Sequence, residues 1–425
     1  MYDTQDERDY QASIDAHLSR NFAVHLVHGM LGQTGFRLVN TPTFLPAFIL
    51  LLSGGSDFAV GATLSLAALG SAVTPLFSAS LIGHRRRVLP VGFVTGGAMR
   101  LAVLGLALAG LVLEGNTALL AAIACMGLFG VFAGMQTVVF QTLLSKVIPV
   151  RRRGRLMGLR NFLASLTTIA VAWVGGNLIL DDPPTAQGYG LIFGLAFLLT
   201  TTGLLVLVLL REPKPPTVAE RRSVAQYLVE MPGFLQANPA FARFVLARAL
   251  ATLGRMGLPF YILYAGSNIG LSGETLASLT VAFTVAASLA NLFWGWLADR
   301  FGFRLCLLLA IGGWIAATVL LMVSSSFWVT VTVFAVIGAT QEGFRLGTIN
   351  LPMEYGDREQ LSLRLAIANS VSEAAGAIAP LVGGIIAGYY GYSAVFIGTS
   401  LCLSIGLLVL LSTSDPRFAQ PTYRH

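Results

Sequence analysis

Long apolar runs, separated by short polar connections, make up most of this 425-residue chain. A helix needs about 20 apolar residues to cross a bilayer, and twelve runs come close to that length or exceed it. The runs are continuous and lack the two-residue alternation of barrel strands, so we predict helices. Pro42 and Pro46 bend the first run, while Arg155 and Arg160 blur the start of the fifth. The predicted helices are Asn21–Leu52, Phe58–Ile82, Val88–Leu113, Thr117–Leu144, Leu156–Leu180, Tyr189–Leu210, Ala240–Ala265, Leu276–Leu297, Arg304–Val323, Phe327–Asn350, Arg364–Gly388 and Tyr392–Leu411.

The twelve runs form two sets of six, separated by the only long polar stretch of the chain. That stretch carries three prolines and several charges, which is typical of a linker. We therefore predict an all-α membrane protein built from two six-helix bundles. The predicted segments are an N-terminal tail 1–20, a first bundle 21–210, a linker 211–239, a second bundle 240–411 and a C-terminal tail 412–425.

Composition supports the membrane assignment and excludes other classes of protein. Hydrophobic residues make up 55% of the chain and charged residues only 11%, whereas soluble domains are about 25% charged. Too little polar surface remains to cover a soluble globule, which excludes a water-soluble enzyme, a disordered regulator and a fibrous protein. The sequence contains no HExxH motif, Walker loop, GxSxG elbow or paired-cysteine spacing, so we predict no enzyme activity, catalytic residue, metal or cofactor.

The basic residues give the chain a net charge of +7, and their positions indicate that this charge reflects membrane topology. They cluster on alternate connections, and such clusters mark the cytoplasmic side of a membrane protein. We therefore predict an integral protein of a bacterial-type inner or plasma membrane, with both termini and the linker in the cytoplasm. The lipid bilayer, and not nucleic acid, is the expected partner, and we expect a monomer. The opposite connections carry only acidic charges, at Asp57, Glu114, Asp181, Asp182 and Glu274.

One connection carries a specific motif. Residues 295–304 read Gly-Trp-Leu-Ala-Asp-Arg-Phe-Gly-Phe-Arg, which resembles the G-x-L-A-D-R-x-G-x-R loop of the major facilitator superfamily. Residues 78–87 form the corresponding loop of the first half. An offset of 219 pairs Gly302 with Gly83 and Arg304 with Arg85, but it places Ser80 opposite Asp299. The first copy has therefore lost the acidic residue of the family's motif.

The resemblance covers residues 21–411 and implies two pseudo-symmetric halves that transport a solute by alternating access. It implies that the first, fourth, seventh and tenth helices line a central cavity. It also implies a gating loop whose carboxylate caps a helix end and whose arginines pair with acids. The alternative is that Asp299 and Arg300 only end a helix at the headgroups. The predicted gating residues are Gly295, Asp299, Arg300, Gly302 and Arg304.

Two arginines within apolar helices are the leading candidates for substrate binding. Charges at mid-bilayer are costly and are candidates for function by default. Arg37 and Arg255 are 218 residues apart, close to the repeat offset of 219. Such a pair would clamp a carboxylate or phosphate, because guanidinium binds these groups bidentately. Alternatively, each arginine pairs with a nearby acid and braces its bundle. The further candidates for substrate binding are Gln33, Gln136, Gln341, Tyr261 and Tyr264, although the tyrosines also fit an interfacial aromatic belt.

Glu342 and Arg345 are the candidates for proton coupling. They lie three residues apart, hence on one helical face. A carboxylate whose arginine contact changes as a cavity opens would bind and release a proton. A permanent structural ion pair is the alternative. Arg100, at mid-depth in the third helix, needs a neutralising partner that the sequence does not identify.

These observations predict a secondary active transporter of a small solute, with an organic anion as the expected class, coupled to protons or another ion. One rival is an exporter of amphiphilic metabolites or drugs. Residues 375–384 resemble a pattern that drug-exporting members carry on the fifth helix. In this chain the pattern lies on the eleventh helix, and Ala379 replaces one of its glycines. The other rival is a non-transporting membrane sensor or assembly partner, for which the chain offers no additional domain.

Overall fold

A computed structural model describes residues 5–40, 42–82, 85–214, 224–323, 326–355 and 361–416. These residues are almost entirely helical and contain no strand. The α-helices are α1 (Gln5–Ala16), α2 (Leu18–Asn40), α3 (Phe44–Leu52), α4 (Asp57–Ile82), α5 (Leu89–Leu111), α6 (Gly115–Val147), α7 (Val150–Val174), α8 (Ala186–Val206), α9 (Val224–Ala237), α10 (Pro239–Leu253), α11 (Leu258–Ile269), α12 (Gly273–Phe301), α13 (Phe303–Val323), α14 (Phe327–Asn350) and α15 (Leu361–Leu411).

These helices confirm the prediction of twelve spans. Within the described ranges, ten helical stretches are long and apolar enough to cross a bilayer. One of them, α15, is two helices joined at Gly391, whose φ of 79° lies in the left-handed region. The seventh span is divided into α10 and α11 by a 3-10 turn at Gly254–Gly257. Neither α10 nor α11 alone is long enough to be among the ten, so the seventh span adds one crossing. With the two helices of α15 counted separately, the total is twelve.

Proline and glycine explain why two spans are divided. The first span consists of α2 and α3, which are separated around Pro42. In the seventh span, Pro259 lies in the first turn of α11, where its missing N–H leaves no hydrogen bond unmade. A divided helix exposes backbone groups, and in membrane proteins such breaks occur where protein or a cavity surrounds them.

The chain divides into two compact units. Unit 1 comprises Met1–Ser53 and Leu66–Arg222, and unit 2 comprises Gly54–Ser65 and Ser223–His425. The predicted segments put the whole second helix in the first bundle, whereas the structure groups its beginning with unit 2. There the Leu381 amide donates to Ser65 Oγ at 2.8 Å, and the Tyr392 hydroxyl donates to Asp57 Oδ1 at 2.8 Å. These contacts attach the beginning of α4 to α15.

An apolar cluster at one end of unit 1 holds four of its helices together. It joins the beginnings of α2 and α7 to the ends of α6 and α8 through buried side chains that include Val24, Leu144, Leu156 and Leu204. Phe140 and Met157 pack against this cluster and also line the cavity described below. Burial of these side chains fixes the α6 and α7 backbones on which the polar groups of the cavity are mounted.

Candidate substrate site

Unit 1 contains an open cavity of about 490 Å³ between α2, α5, α6 and α7. Amides, arginines and aromatic rings line it, a mixture that suits a ligand with a polar head and an apolar body. The lining residues are His28, Gly29, Gly32, Gln33, Phe36, Met99, Arg100, Ala133, Gln136, Thr137, Phe140, Gln141, Met157 and Arg160.

Arg160 of α7 is the main charged group of this cavity. Its guanidinium lies over the Phe140 ring, 4.7 Å from the centroid. With its amide oxygen turned toward the guanidinium, Gln33 accepts from Arg160 Nε and Nη2 at 3.0 and 2.9 Å and donates to Asn161 Oδ1 at 3.2 Å. Gly29 makes room for this side chain, because a Cβ there would collide with it.

No carboxylate among the described residues forms an ion pair with Arg160. A charged group withdrawn from water is costly unless another charge compensates it. Arg37 acts on Arg160 with its positive charge, which repels it. The positive charges of Arg160, Arg100 and Arg37 at or beside one cavity therefore favour an anionic ligand over a neutral or cationic one.

Arg37 of α2 lies next to this cavity. Its Nη1 donates to Ser165 Oγ of α7 at 2.7 Å, and Ser165 lies little more than one helical turn beyond Arg160. Gln136, from the predicted set, lies on α6 and accepts from Thr95 Oγ1 at 2.8 Å. The structure thus brings Gln33 and Gln136 into one cavity and places Arg37 next to it.

Backbone carbonyls satisfy Arg100 of α5. Its Nε donates to Thr200 O at 2.6 Å and its Nη1 to Gly96 O at 2.7 Å. The guanidinium also lies 5.2 Å from the centroid of Phe36. These contacts supply the partner that the sequence does not identify. They use two of the five N–H donors of Arg100, and the guanidinium adds positive charge to the cavity that it lines.

Arg255 lies in unit 2, in the 3-10 turn between α10 and α11. The carboxylate of Glu373, on α15, attracts both Arg255 and Arg248. Arg248 also donates from Nη2 to Asn369 Oδ1 at 2.9 Å. The attraction between Arg255 and Glu373 fits the alternative to the anion clamp, in which each arginine pairs with a nearby acid and braces its bundle.

Glu342 and Arg345 of α14 form the ion pair that their spacing predicts. Glu342 Oε2 lies 2.7 Å from Arg345 Nη2 and 2.8 Å from Nε. Their side chains are 23% and 52% exposed, so water reaches both partners. Gln341 is half-buried on the same helix.

The two predicted tyrosines differ in environment. Tyr261 is 1% exposed; its hydroxyl shares a hydrogen bond of 2.7 Å with Thr318 Oγ1 and accepts from Trp314 Nε1 at 3.1 Å. It packs in the interior of unit 2, away from the cavity of unit 1 that contains Gln33 and Gln136. Tyr264 is half-buried, with its ring edge-to-face on Phe396.

The predicted gating loop begins with a glycine turn. Gly302 ends α12 with a φ of 87°, a conformation that favours glycine. Arg304 donates from Nη2 to three carbonyl oxygens at the end of α15, those of Leu410, Leu411 and Thr413, at 3.2, 3.2 and 2.7 Å. Arg304 thus caps a helix within its own unit, although we expected its partner to be an acid.

The other residues of this loop are more accessible to solvent. Asp299 and Arg300 are exposed, and Arg300 lies 5.7 Å from the centroid of Phe301. Gly295 is half-buried within α12, and a Cβ there would meet no neighbouring atom. In the first copy of the loop, Gly83 lies outside the described residues.

In unit 1 a carboxylate from elsewhere in the chain caps the helix that follows the loop. Glu212, which comes after α8, accepts from the amides of Val88 and Leu89 at 2.7 and 2.9 Å. Its Oε1 lies 3.3 Å from Lys146 Nζ. Glu212 therefore caps the beginning of α5 in a loop whose own acidic position is occupied by Ser80. Its role was not visible in the sequence, because it lies in the predicted linker.

No group of His, Cys, Asp or Glu within the described ranges is arranged to hold a metal ion.

The family model of the Major Facilitator Superfamily matches residues 30–262 and 244–423. The chain belongs to the Major Facilitator Superfamily. It is accordingly a transporter and a multi-pass integral membrane protein, not an enzyme.

Two solved structures show the same superfamily fold. The nucleoside transporter NupG has a TM-score of 0.70 and 13% identity, covering 93% of this chain and 100% of NupG. A partially occluded, inward-open form of the xylose transporter XylE from E. coli has a TM-score of 0.66 and 11% identity, covering 92% and 98% of the two chains. At these identities the likeness concerns the fold alone.

Curated relatives match a shorter stretch of the chain. Multidrug resistance protein MdtG of Salmonella paratyphi C is 27% identical over 158 residues, which is 36% of this chain and 38% of the relative. MdtG of Escherichia fergusonii is 26% identical over 166 residues, or 38% and 40% of the two chains. The alignments thus span about two fifths of the relatives' length.

Proposed function

We propose that this superfamily member is a secondary active transporter of small organic anions that works by alternating access. Arg160 is the observation that carries the proposal, because no described carboxylate pairs with it and it lies in a cavity of about 490 Å³. Gln33 and Gln136 supply hydrogen-bonding groups, and Arg37 adds positive charge next to the cavity. The apolar walls accommodate the body of the solute.

The orientation of the chain is part of the same proposal. The clusters of Lys and Arg on alternate connections support a cytoplasmic location for both termini. Two bundles with a linker between them support rocking of one bundle against the other. We propose that the unit of transport is the monomer.

A thermal-shift screen of the purified protein against anionic and neutral solutes tests the substrate class. The ligands should include benzoate, acetate and phosphate beside glucose and uridine. Ligands that bind the folded protein raise its unfolding temperature. We expect stabilisation by anions, and a preference for the neutral solutes would contradict the proposal.

A second candidate is an exporter of amphiphilic metabolites or drugs. The MdtG relatives, which are named as multidrug resistance proteins, support it. So do the Met99, Met157 and Phe36 side chains in the cavity wall. Broad protection of cells that express the chain, retained in Arg37→Ala and Arg160→Ala variants, would favour this candidate over the anion transporter.

Lysine substitutions test the two arginines that the sequence predicts as a clamp. Lysine keeps the charge but loses the bidentate geometry. If Arg37 and Arg255 bind the anion, each substitution will lower transport by about tenfold or more while the amount of protein in the membrane changes little. Uptake into vesicles and quantitative blotting provide the two measurements. Equal losses of transport and abundance for Arg255→Lys would assign it to the brace with Glu373.

Glu342→Gln tests proton coupling through α14. The variant keeps the size of the side chain but loses the charge that pairs with Arg345. If this carboxylate carries the proton, accumulation driven by a pH gradient will be lost, while exchange of labelled for unlabelled solute will continue, because exchange needs no net proton movement. Both assays use reconstituted vesicles. Unchanged accumulation would make the pair structural.

A further inference from the structure

His28 of α2 lines the cavity that holds Arg160. Its ring is almost fully buried, and Nδ1 lies 2.9 Å from the carbonyl oxygen of Gly203 on α8. A carbonyl only accepts hydrogen bonds, so this contact assigns the hydrogen of the neutral ring to Nδ1 and the lone pair to Nε2. No described protein group is hydrogen-bonded to Nε2.

The charged groups around this ring are cationic. Arg160 on α7 and Arg100 on α5 both act on His28 with their positive charges. His25, on the same helix, is the remaining titratable neighbour. The faces toward α6 and α8 are uncharged, since they consist of the Phe140 ring, 6.2 Å away, and the Gly203 carbonyl.

We propose that His28 takes up a proton at Nε2 when an anion binds at Arg160, so that each anion is carried together with one proton. The inference rests on the proposed anion transport and names its coupling ion and the residue that binds it. The proton comes from water and adds to the Nε2 lone pair, while Nδ1–H keeps its bond to Gly203. The resulting imidazolium can donate to the bound anion.

Electrostatic linkage is the physical reason. A bound anion cancels the positive charge of Arg160 that acts on His28, so anion binding favours the proton. By reciprocity, the proton favours the anion by the same factor. Anion and proton then bind and leave together, as coupled transport in one direction requires. Glu342 lies in unit 2, so its role can be tested separately.

Calorimetric proton counting tests the inference. Benzoate is titrated into the purified protein at pH 7 in buffers with different heats of ionisation, which gives the number of protons taken up on binding. We expect close to one proton per benzoate, the value that full linkage requires. His28→Gln can still donate to Gly203 but has no basic nitrogen, so it should bind benzoate with almost no proton uptake. His17→Gln, which removes an exposed histidine that the proposal does not involve, should keep the proton uptake.

The outcomes separate the two proposals. Absence of benzoate binding to the wild-type protein would overturn the anion site and this inference together. Binding without proton uptake in the wild type would overturn the inference and leave anion transport standing. The inference would also fall if His28→Gln kept the full uptake or if His17→Gln abolished it. The number of protons that the wild-type protein takes up per benzoate decides this second outcome without any variant. The test therefore does not depend on the stability of a variant.

Discussion

Replacing Arg160 by lysine is expected to weaken benzoate binding by about 10- to 100-fold, the loss that corresponds to one charge-assisted hydrogen-bonding group. The guanidinium lies over the Phe140 ring and contacts the Gln33 amide through two N–H groups, which the compact ammonium group of lysine does not reproduce. Calorimetry on the purified protein measures the binding, and vesicle uptake should fall in parallel.

Arg155→Lys is the matched control for this experiment. Arg155 lies on the same helix, is exposed and does not line the cavity. We expect it to bind benzoate as the wild type does. Wild-type affinity in Arg160→Lys would remove Arg160 from the substrate site and would contradict the proposed anion site.

Glu212→Gln is expected to destabilise the protein by about 3 kcal/mol, because removal of one partner of a buried ion pair leaves the other charge uncompensated. The Glu212 side chain is only 3% exposed, pairs with Lys146 and accepts two amides at the beginning of α5. Thermal unfolding in detergent, followed by tryptophan fluorescence, gives the change in stability.

Glu114→Gln provides the comparison for the stability measurement. The Glu114 residue is exposed, and its side chain makes no capping hydrogen bond to α6. This substitution should change the unfolding temperature little. If the two variants unfolded at the same temperature, Glu212 would not be the group that holds α5, α6 and the chain after α8 together.

The fold could be predicted because lipid imposes a simple rule. Each crossing needs a continuous apolar helix, and the pattern therefore identifies twelve spans, including the pair separated at Gly391 within α15. The sequence could not show that the beginning of α4 groups with unit 2. That grouping depends on the contacts from Ser65 and Asp57 to α15, which are distant in sequence.

The candidate site was predictable where a charge stood alone in an apolar run. Arg37 met that condition, and Gln33 and Gln136 stood out as polar residues on the same set of helices. Arg160 did not stand out, because the preceding arginines made it look like the end of a basic connection. Its position over Phe140 and beside Gly29 is visible only in three dimensions.

Burial and hydrogen-bond pairing explain the other differences between the predicted site residues and their positions in the structure. Tyr261 has the sequence context of a residue near a substrate path, but Thr318 and Trp314 take up its hydroxyl inside unit 2. Arg304 has the context of a gating arginine, but it reaches the carbonyls that end α15. Which partner a long side chain selects depends on tertiary packing, and the helical pattern carries no information about it.

The distance between a bound anion and Arg160 directly tests whether Arg160 binds the substrate. Solid-state NMR on the protein in lipid, with ¹³C in the benzoate carboxylate and ¹⁵N in all arginines, reports this separation by dipolar coupling. We predict a carbon–nitrogen distance of about 4 Å or less, as in a guanidinium–carboxylate pair, and loss of that coupling in Arg160→Lys. A coupling that is absent from the wild type, or that survives in Arg160→Lys, would contradict the proposed anion site.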